Sequence, residues 1–372
     1  MVQFRSSPRQ LTFGVEVELQ VLDNKTLDLV PRAAEILNKT SISNLSKELF
    51  QSTIELITPV YEEMGKAEEF FEKKFAILQE EGNSLDLVFS ATGTHPFANY
   101  TDRLITPSRR YYSIVSQNRW LIRRMAVYGM HVHLGMRSGE ECIRFHNFFM
   151  RFIPHLIALS ASSPFWHGLD TELFACRPTM YEALPTAGIP YQFDSWEEYQ
   201  RMIDNLIRIG SIRSLKDIWW DIRPSPDLGT LEIRICDAPA SRMELLAIVA
   251  FIQVLGFWFA DRQEDQSTYA PLPLWVLREN KWRSIRDGMN ASIILPGNHD
   301  IRLLNEDIKY WAELLYPYYQ KLNYLKYYQN LISILDNGNS SMRQRKKFHE
   351  TLSLESVVKM NTLEFSQGKP LL

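Results

Sequence analysis

Period-two alternation marks three stretches far apart in this chain, and each one places two ionisable side chains on a single face. In FGVEVELQVLD (13–23), Phe13, Val15, Val17 and Leu19 share one side while Glu16 and Glu18 share the other. In MHVHLG (130–135), His131 and His133 lie together, with Val132 and Leu134 opposite. In TLEIRIC (230–236), Glu232 and Arg234 lie together, backed by Leu231, Ile233 and Ile235. Residues i and i+2 of an extended segment project from the same side, so these pairings follow if the stretches are strands. Any one of them also reads as a plain solvated face. Paired glutamates together with paired histidines are less expected on such a face. They are the donor set for a hard divalent cation such as Mg²⁺ or Mn²⁺.

Two further carboxylates are candidates for the same floor. Glu48 and Glu55 are seven apart in KELFQSTIEL, so both reach one face only if a turn or bulge intervenes. Glu48 reads equally as ligand or surface residue. Glu55 sits between Ile54 and Leu56 on an apolar run, where a charge needs a partner.

The 372 residues suit one large domain or two ordinary ones, and no repeat, low-complexity run or long linker divides them. A single catalytic domain over 1–372 is expected, with a sheet-forming part at about 10–240 and a helical part at about 241–360. The net charge of −3 offers no basic excess for a nucleic-acid partner. The cluster RQRKK at 343–347 reads as a solvated helix face. Three scattered cysteines, Cys142, Cys176 and Cys236, support neither a disulfide scaffold nor a CxxC metal site, which fits a reduced, cytoplasmic protein. MVQFRSSPRQ has no apolar core of a signal peptide. LLAIVAFIQVLGFWFA (245–260) is shorter than a bilayer span and carries Gln253 and Gly256, so a buried central helix with a Ser241/Glu244 capping box is expected, and no membrane contact. Aromatic residues at 12% suit a homodimer interface and a large core equally.

Along the chain, a helix is expected over about 61–81 ending at Gly82, another over 108–129, and a break at Pro154. IWWDIRP (218–224) and GTLEIRICD (229–237) read as strands joined by the turn SPDL, and the chain beyond 241 is almost wholly helical. Strands that are neighbours, or are separated by single helices, indicate α+β with a curved, mostly antiparallel sheet, helices on one side and the polar face on the other. No GxxxxGK[ST] loop is present, so a nucleotide would bind through metals on carboxylates.

FGVEVELQ, FQSTIELITPV, GTHPF, SRRYYSI, GMHVHLGM, SPFWHGLDTELFACR, LPTAGIP and WWDIRPSPDLGTLEIRICD occur in this order over about 12–240. In these motifs the chain resembles the type 2 glutamate–cysteine ligases, or carboxylate–amine ligases, of the glutamine synthetase-like superfamily. The resemblance implies a concave sheet binding Mg²⁺ and ATP, with L-glutamate and an amine such as L-cysteine as substrates. It implies Glu16, His131 and Glu232 as ligands of one ion, Glu18, Glu48 and Glu55 as ligands of a second, His133 at the nucleotide phosphates, and Arg234 at the γ-phosphate as the catalytic residue. Arg110 and Tyr111 match a substrate-binding pair, with a helix-surface role equally open. Arg177 is expected to grip a substrate carboxylate. His95 reads as turn cap or substrate contact, Trp219 and Trp220 as packing, and His146, His155 and His167 as histidines without partners. Other readings stay open: a different Mg²⁺-dependent phosphoryl-transfer enzyme, a ligase using another amine, or a nucleotide-binding protein without activity.

Overall fold

The structure, a computed structural model, describes residues 2–262, 272–297 and 299–371. In chain order its strands are β1 Phe13–Asp23, β2 Leu45–Lys47, β3 Thr53–Ile57, β4 Leu87–Ser90, β5 Met130–Gly135, β6 Phe165–Trp166, β7 Leu169–Asp170, β8 Ala187–Gly188, β9 Trp219–Trp220, β10 Ile222–Ser225, β11 Thr230–Ile233, β12 Ser292–Ile294 and β13 Ile301–Leu303. Its helices are α1 Ala33–Lys39, α2 Met64–Asn83, α3 Arg109–Arg123, α4 Gly139–Phe149, α5 Ile153–Ser160, α6 Arg177–Glu182, α7 Trp196–Arg208, α8 Arg242–Ala260, α9 Leu274–Asp287, α10 Leu304–Lys321, α11 Leu325–Asn337, α12 Ser340–Thr351 and α13 Leu354–Gln367.

The main sheet runs β10-β11-β5-β1-β3-β2, with β4 also paired to β1, and every pairing in it is antiparallel. This is the expected α+β arrangement. Register decides the rest. Glu16 is opposite His131, Glu18 opposite Glu55, His133 opposite Glu232, and Glu232 opposite Arg223. Directly opposed residues share a face, so the charged side chains of five strands meet on one side. The other side carries Val15, Val17, Ile54, Leu56, Val132, Leu134, Leu231 and Ile233, all buried, in the main hydrophobic cluster. Glu48 follows β2 in a turn before β3, the interruption its spacing from Glu55 requires.

Helix α8 packs behind this sheet. It is long and apolar enough to cross a membrane, yet most of it is buried in the fold. Ser241 caps it, accepting the Glu244 N–H at 3.3 Å. Gln253, the polar residue in its middle, donates to the Leu11 carbonyl at 2.9 Å and accepts from Tyr324 at 3.0 Å, so its burial leaves no amide group wasted. At Gly256 a Cβ would lie 2.8 Å from Leu11 Cδ2, which is why the helix can approach the chain there.

Several local expectations change. Helix α2 begins at Met64, not near Tyr61, because Tyr61 exchanges backbone hydrogen bonds with Phe13 and extends the sheet edge. Gly82 lies inside α2 rather than beyond it, and its missing Cβ lets the Phe89 ring come close. Helix α3 ends at Arg123 and is broken at Arg119, whose φ is 55°. Arg343 and Gln344 of the RQRKK cluster are buried: Arg343 pairs with Glu244 at 2.9 Å and Glu364 at 2.7 Å, tying α12 to α8 and α13. Pro154 does interrupt the helix, with a 3₁₀ turn over Met150–Phe152 separating α4 from α5. The three cysteines are buried and free.

Candidate active site

The polar face opens into a cavity of about 470 Å³ whose lining includes Glu16, Glu18, Glu48, Glu55, Arg110, Tyr111, His131, His133, Glu232 and Arg234. Ten of the eleven site residues expected from the sequence therefore converge. At the β10–β11 edge, Arg223 donates to Glu232 Oε2 from Nε at 3.0 Å and Nη2 at 2.6 Å, and Arg234 pairs with Glu232 Oε1. His131 Nδ1 lies 3.1 Å from Glu16 Oε2, and His133 Nε2 lies 3.3 Å from Glu16 Oε1. Burial would raise the Glu16 and Glu232 carboxyls. The two histidines at Glu16, and Arg223 and Arg234 at Glu232, outweigh it and hold both well below the usual carboxylate range. Burial and the neighbouring Arg234 push the His131 imidazole down to about 4, so it stands neutral and can donate a lone pair. His133 moves the other way: burial lowers it, but Glu232 and Glu16 beside it prevail and raise it.

The β1–β3–β2 edge differs. Glu18 accepts the Gly129 N–H, Glu55 accepts Ser46 Oγ at 3.1 Å, and Glu48 accepts the Leu49 N–H at 2.9 Å. Among the described residues none of the three is ion-paired. Burial, and then Glu48 nearby, push Glu18 up to about 7. Burial and its three acidic neighbours raise Glu55 well above the usual carboxylate value, and burial raises Glu48. Like charges this close oppose one another's ionisation.

The residues of this floor fit a cation. Glu16, His131 and Glu232 each offer an atom within 4.8 Å of the others, and the buried His131 Nε2 has no hydrogen-bond partner. Carboxylate oxygens with one imidazole suit Mg²⁺ or Mn²⁺.

Arg177 is the exception. It does not line this cavity; its guanidinium donates to the Ile235 carbonyl at 3.2 Å and the Arg234 carbonyl at 3.3 Å, beneath the Tyr181 ring. A Cβ on Gly129 would lie 2.1 Å from Arg177 Nη2, so the arginine wedges between the backbone donor to Glu18 and the backbone of Arg234. Two nitrogens of the fork that suggested a substrate carboxylate are engaged by carbonyls, and its buried Nε has no hydrogen-bond partner among the described residues. His95 caps its turn, accepting the Ala98 N–H at 3.0 Å, and bonds the Leu27 carbonyl at 2.8 Å through Nε2. The other histidines do have partners: His155 meets Asp307 at 2.7 Å, His146 meets Asn147 at 3.2 Å, and His167 lies against Tyr100. Trp220 packs in a satellite cluster, whereas Trp219 lines the cavity.

Sequence reasoning missed Arg223. The hairpin turn at 226–229 places it opposite Glu232, and counting back across that turn would have found it. It also missed Lys281, a buried lysine on α9 that bonds Asp221 at 2.7 Å and Glu182 at 2.6 Å. Asp221 in turn accepts the Arg234 N–H on its backbone carbonyl at 2.8 Å. Lys281→Met is expected to cost about 3–5 kcal/mol, because it strands the buried Asp221 carboxylate. Urea unfolding reads this directly, and Asp221→Asn in the same chain is expected to recover part of the loss. An unchanged midpoint for the single variant would contradict the pairing.

An antiparallel sheet with this polar floor and helices behind it is a fold shared with solved ligase structures. The structure superposes with a TM-score of 0.69 on the glutamate–cysteine ligase of Francisella tularensis in complex with AMP, at 13% identity, covering 98% of this chain and 90% of that one. It superposes at 0.71 on a bifunctional glutathione synthetase from Pasteurella multocida, at 14% identity, covering 96% of this chain and 52% of that one. The chain belongs to glutamate–cysteine ligase family 2, whose family model matches residues 12–360. A Bdellovibrio bacteriovorus relative provisionally named glutamate–cysteine ligase 2 is 38% identical over 353 residues, covering 93% of this chain and 92% of its own. A Gloeobacter violaceus relative of the same provisional name is 37% identical over 366 residues, covering 96% and 97%. The chain is therefore an enzyme of the ligase class, forming a C–N bond.

Proposed function

We propose that this enzyme uses ATP to join the γ-carboxylate of L-glutamate to an amine, with L-cysteine, the acceptor in its relatives' names, as the reference acceptor and γ-glutamylcysteine as the product. The observation that carries this reading is the convergence of Glu16, Glu18, Glu48, Glu55, His131 and Glu232 with Arg223 and Arg234 around one cavity. A carboxylate does not condense with an amine unaided, because hydroxide leaves poorly. One γ-carboxylate oxygen attacks the γ-phosphorus of ATP; the P–O bond to the β-phosphate breaks, leaving ADP and γ-glutamyl phosphate. The amine nitrogen then forms the C–N bond, the C–O bond to phosphate breaks, and the amine loses a proton.

The residues divide this work. Arg234 and Arg223, already desolvated and aimed at the floor, offset the charge on the transferring phosphoryl group, and His133 adds a donor. Glu16, His131 and Glu232 would hold one divalent ion, and Glu18, Glu48 and Glu55 a second. Such ions neutralise phosphate charge and polarise the reacting P–O bonds. Arg110, exposed on α3 near Glu48, and Tyr111, whose hydroxyl donates to the Lys47 carbonyl at 3.0 Å, flank the amino-acid end.

Purified enzyme with Mg²⁺-ATP is expected to release ADP only when glutamate and an amine are both present, with one phosphate formed per amide. ADP release that ignores glutamate would favour a different phosphoryl acceptor and remove the ligase assignment.

A further inference from the structure

Beyond Ile233 the chain stays beside the β5 segment but falls one residue out of step. Ile233 is opposite Val132, whereas Asp237 is opposite Gly129, and between them the Met130 N–H donates to the Cys236 carbonyl at 3.1 Å. Arg234 and Ile235 therefore share one partner position, that of His131. This is a β-bulge, a device that bends the strand and re-aims a side chain.

A bulge breaks the ladder, so its backbone groups need other partners. The Arg234 N–H keeps the β10 register and donates to the Asp221 carbonyl at 2.8 Å. The carbonyls of the two bulged residues go to Arg177: Nη2 donates to Arg234 at 3.3 Å and Nη1 to Ile235 at 3.2 Å. The main chain of Arg177 is tied to the far end of the bulge. Its N–H donates to Ser163 Oγ at 3.2 Å, and that hydroxyl donates to Asp237 Oδ2 at 2.6 Å. The guanidinium is buried against the Tyr181 ring and fills the space a Cβ on Gly129 would take, directly behind the backbone donor to Glu18. A lysine would carry the same charge, but its single nitrogen cannot hold two carbonyls at the spacing of the planar fork.

We propose that Arg177 is a positioning residue: its guanidinium clamps the bulge at Arg234–Ile235 and thereby fixes the aim of the Arg234 side chain at the transferring phosphoryl group. This rests on the ligase reading above. Arg177 does not line the cavity, so its loss lowers turnover rather than substrate binding. Displacing a catalytic group by about 1 Å costs about 10²-fold.

The test follows glutamate-dependent hydroxamate formation from Mg²⁺-ATP and hydroxylamine, a small acceptor that traps γ-glutamyl phosphate. In Arg177→Lys, kcat is expected to fall about 10²-fold, while KM for ATP and for glutamate stays within about threefold of the parent. In an Arg234→Gln background the same change is expected to cost less than about threefold, because no guanidinium is left to aim. Loss of folded enzyme lowers the rate in both backgrounds, so the cycle separates aim from stability. Gly129→Ala displaces the guanidinium by its Cβ and removes no charge. It is expected to give the same pattern, and it serves if Arg177→Lys does not fold. A kcat for Arg177→Lys within about threefold of the parent, or an equal loss in both backgrounds, overturns the positioning role. Either result with hydroxamate formed by the parent leaves the ligase reading standing, whereas no hydroxamate from the parent overturns both.

Discussion

Glu232→Gln is expected to lower glutamate- and amine-dependent ADP release by about 10³-fold, the largest loss of any single substitution in this protein. The carboxylate is buried between Arg223 and Arg234 and is one of the three donors that face each other with Glu16 and His131. Its charge holds both guanidiniums in place, and removing it leaves two buried cations facing each other. Breaking a buried pair of this kind costs about 3–5 kcal/mol, so the variant is also expected to unfold at lower urea. The two effects separate in the double variant Glu232→Gln/Arg223→Met. Stability should return in part because one unpaired cation is gone, while activity should not. Activity within tenfold of the parent in the folded single variant would remove Glu232 from the site.

The second expectation concerns pH. With divalent ions chelated, thermal stability should fall as pH rises from about 6.5 to 8, and the stabilisation given by saturating Mg²⁺ should be larger at the upper pH. Glu18, Glu48 and Glu55 have carboxyls raised by burial, and Glu18 and Glu55 also by their acidic neighbours; Glu18 reaches about 7. The unfolded chain has lost these protons near the ordinary value of 4.5, so across this interval the folded state binds more protons than the unfolded one. Stability then declines with pH by about 1.4 kcal/mol per unit for each proton held, until the folded groups have themselves ionised. Glu16 and Glu232 are depressed, and their stabilising term is already complete at the lower end of the interval. His131, lowered to about 4, costs stability only as pH falls below its ordinary value of 6.5 and changes nothing above it, whereas His133, raised above 6.5, loses its stabilising contribution in the same interval and adds to the decline. Melting curves in chelator and in Mg²⁺ at both pH values decide the matter. A flat chelator series with an equal Mg²⁺ shift throughout would show that the trio does not bind the ion.

Much of this site was legible because a strand reports its faces directly. Glu16 with Glu18, His131 with His133 and Glu232 with Arg234 are local pairs, fixed by period two before any folding is known. The buried helix at 245–260 was legible for a similar reason: a capping box and one glutamine distinguish a water-soluble core helix from a span. Arg177 and Lys281 were not. A sequence shows that an arginine sits in an apolar loop, but not that two backbone carbonyls and the Cα of Gly129 will enclose its guanidinium. Nor does it show that a lysine on α9 reaches an aspartate 60 positions away.

What the chain alone determined, then, is which side chains travel together: alternation binds each pair to one face, and apolar neighbours force the opposite face inward. Which pairs meet was decided by register, since sliding β1 one residue against β5 would put Glu16 against a valine and turn the floor inside out. The division into an arginine edge and a carboxylate edge is likewise a product of strand order, a property of pairings between residues as far apart as Phe13 and Leu134. Charge and hydrophobicity act through contact, and those contacts exist only once the sheet has closed.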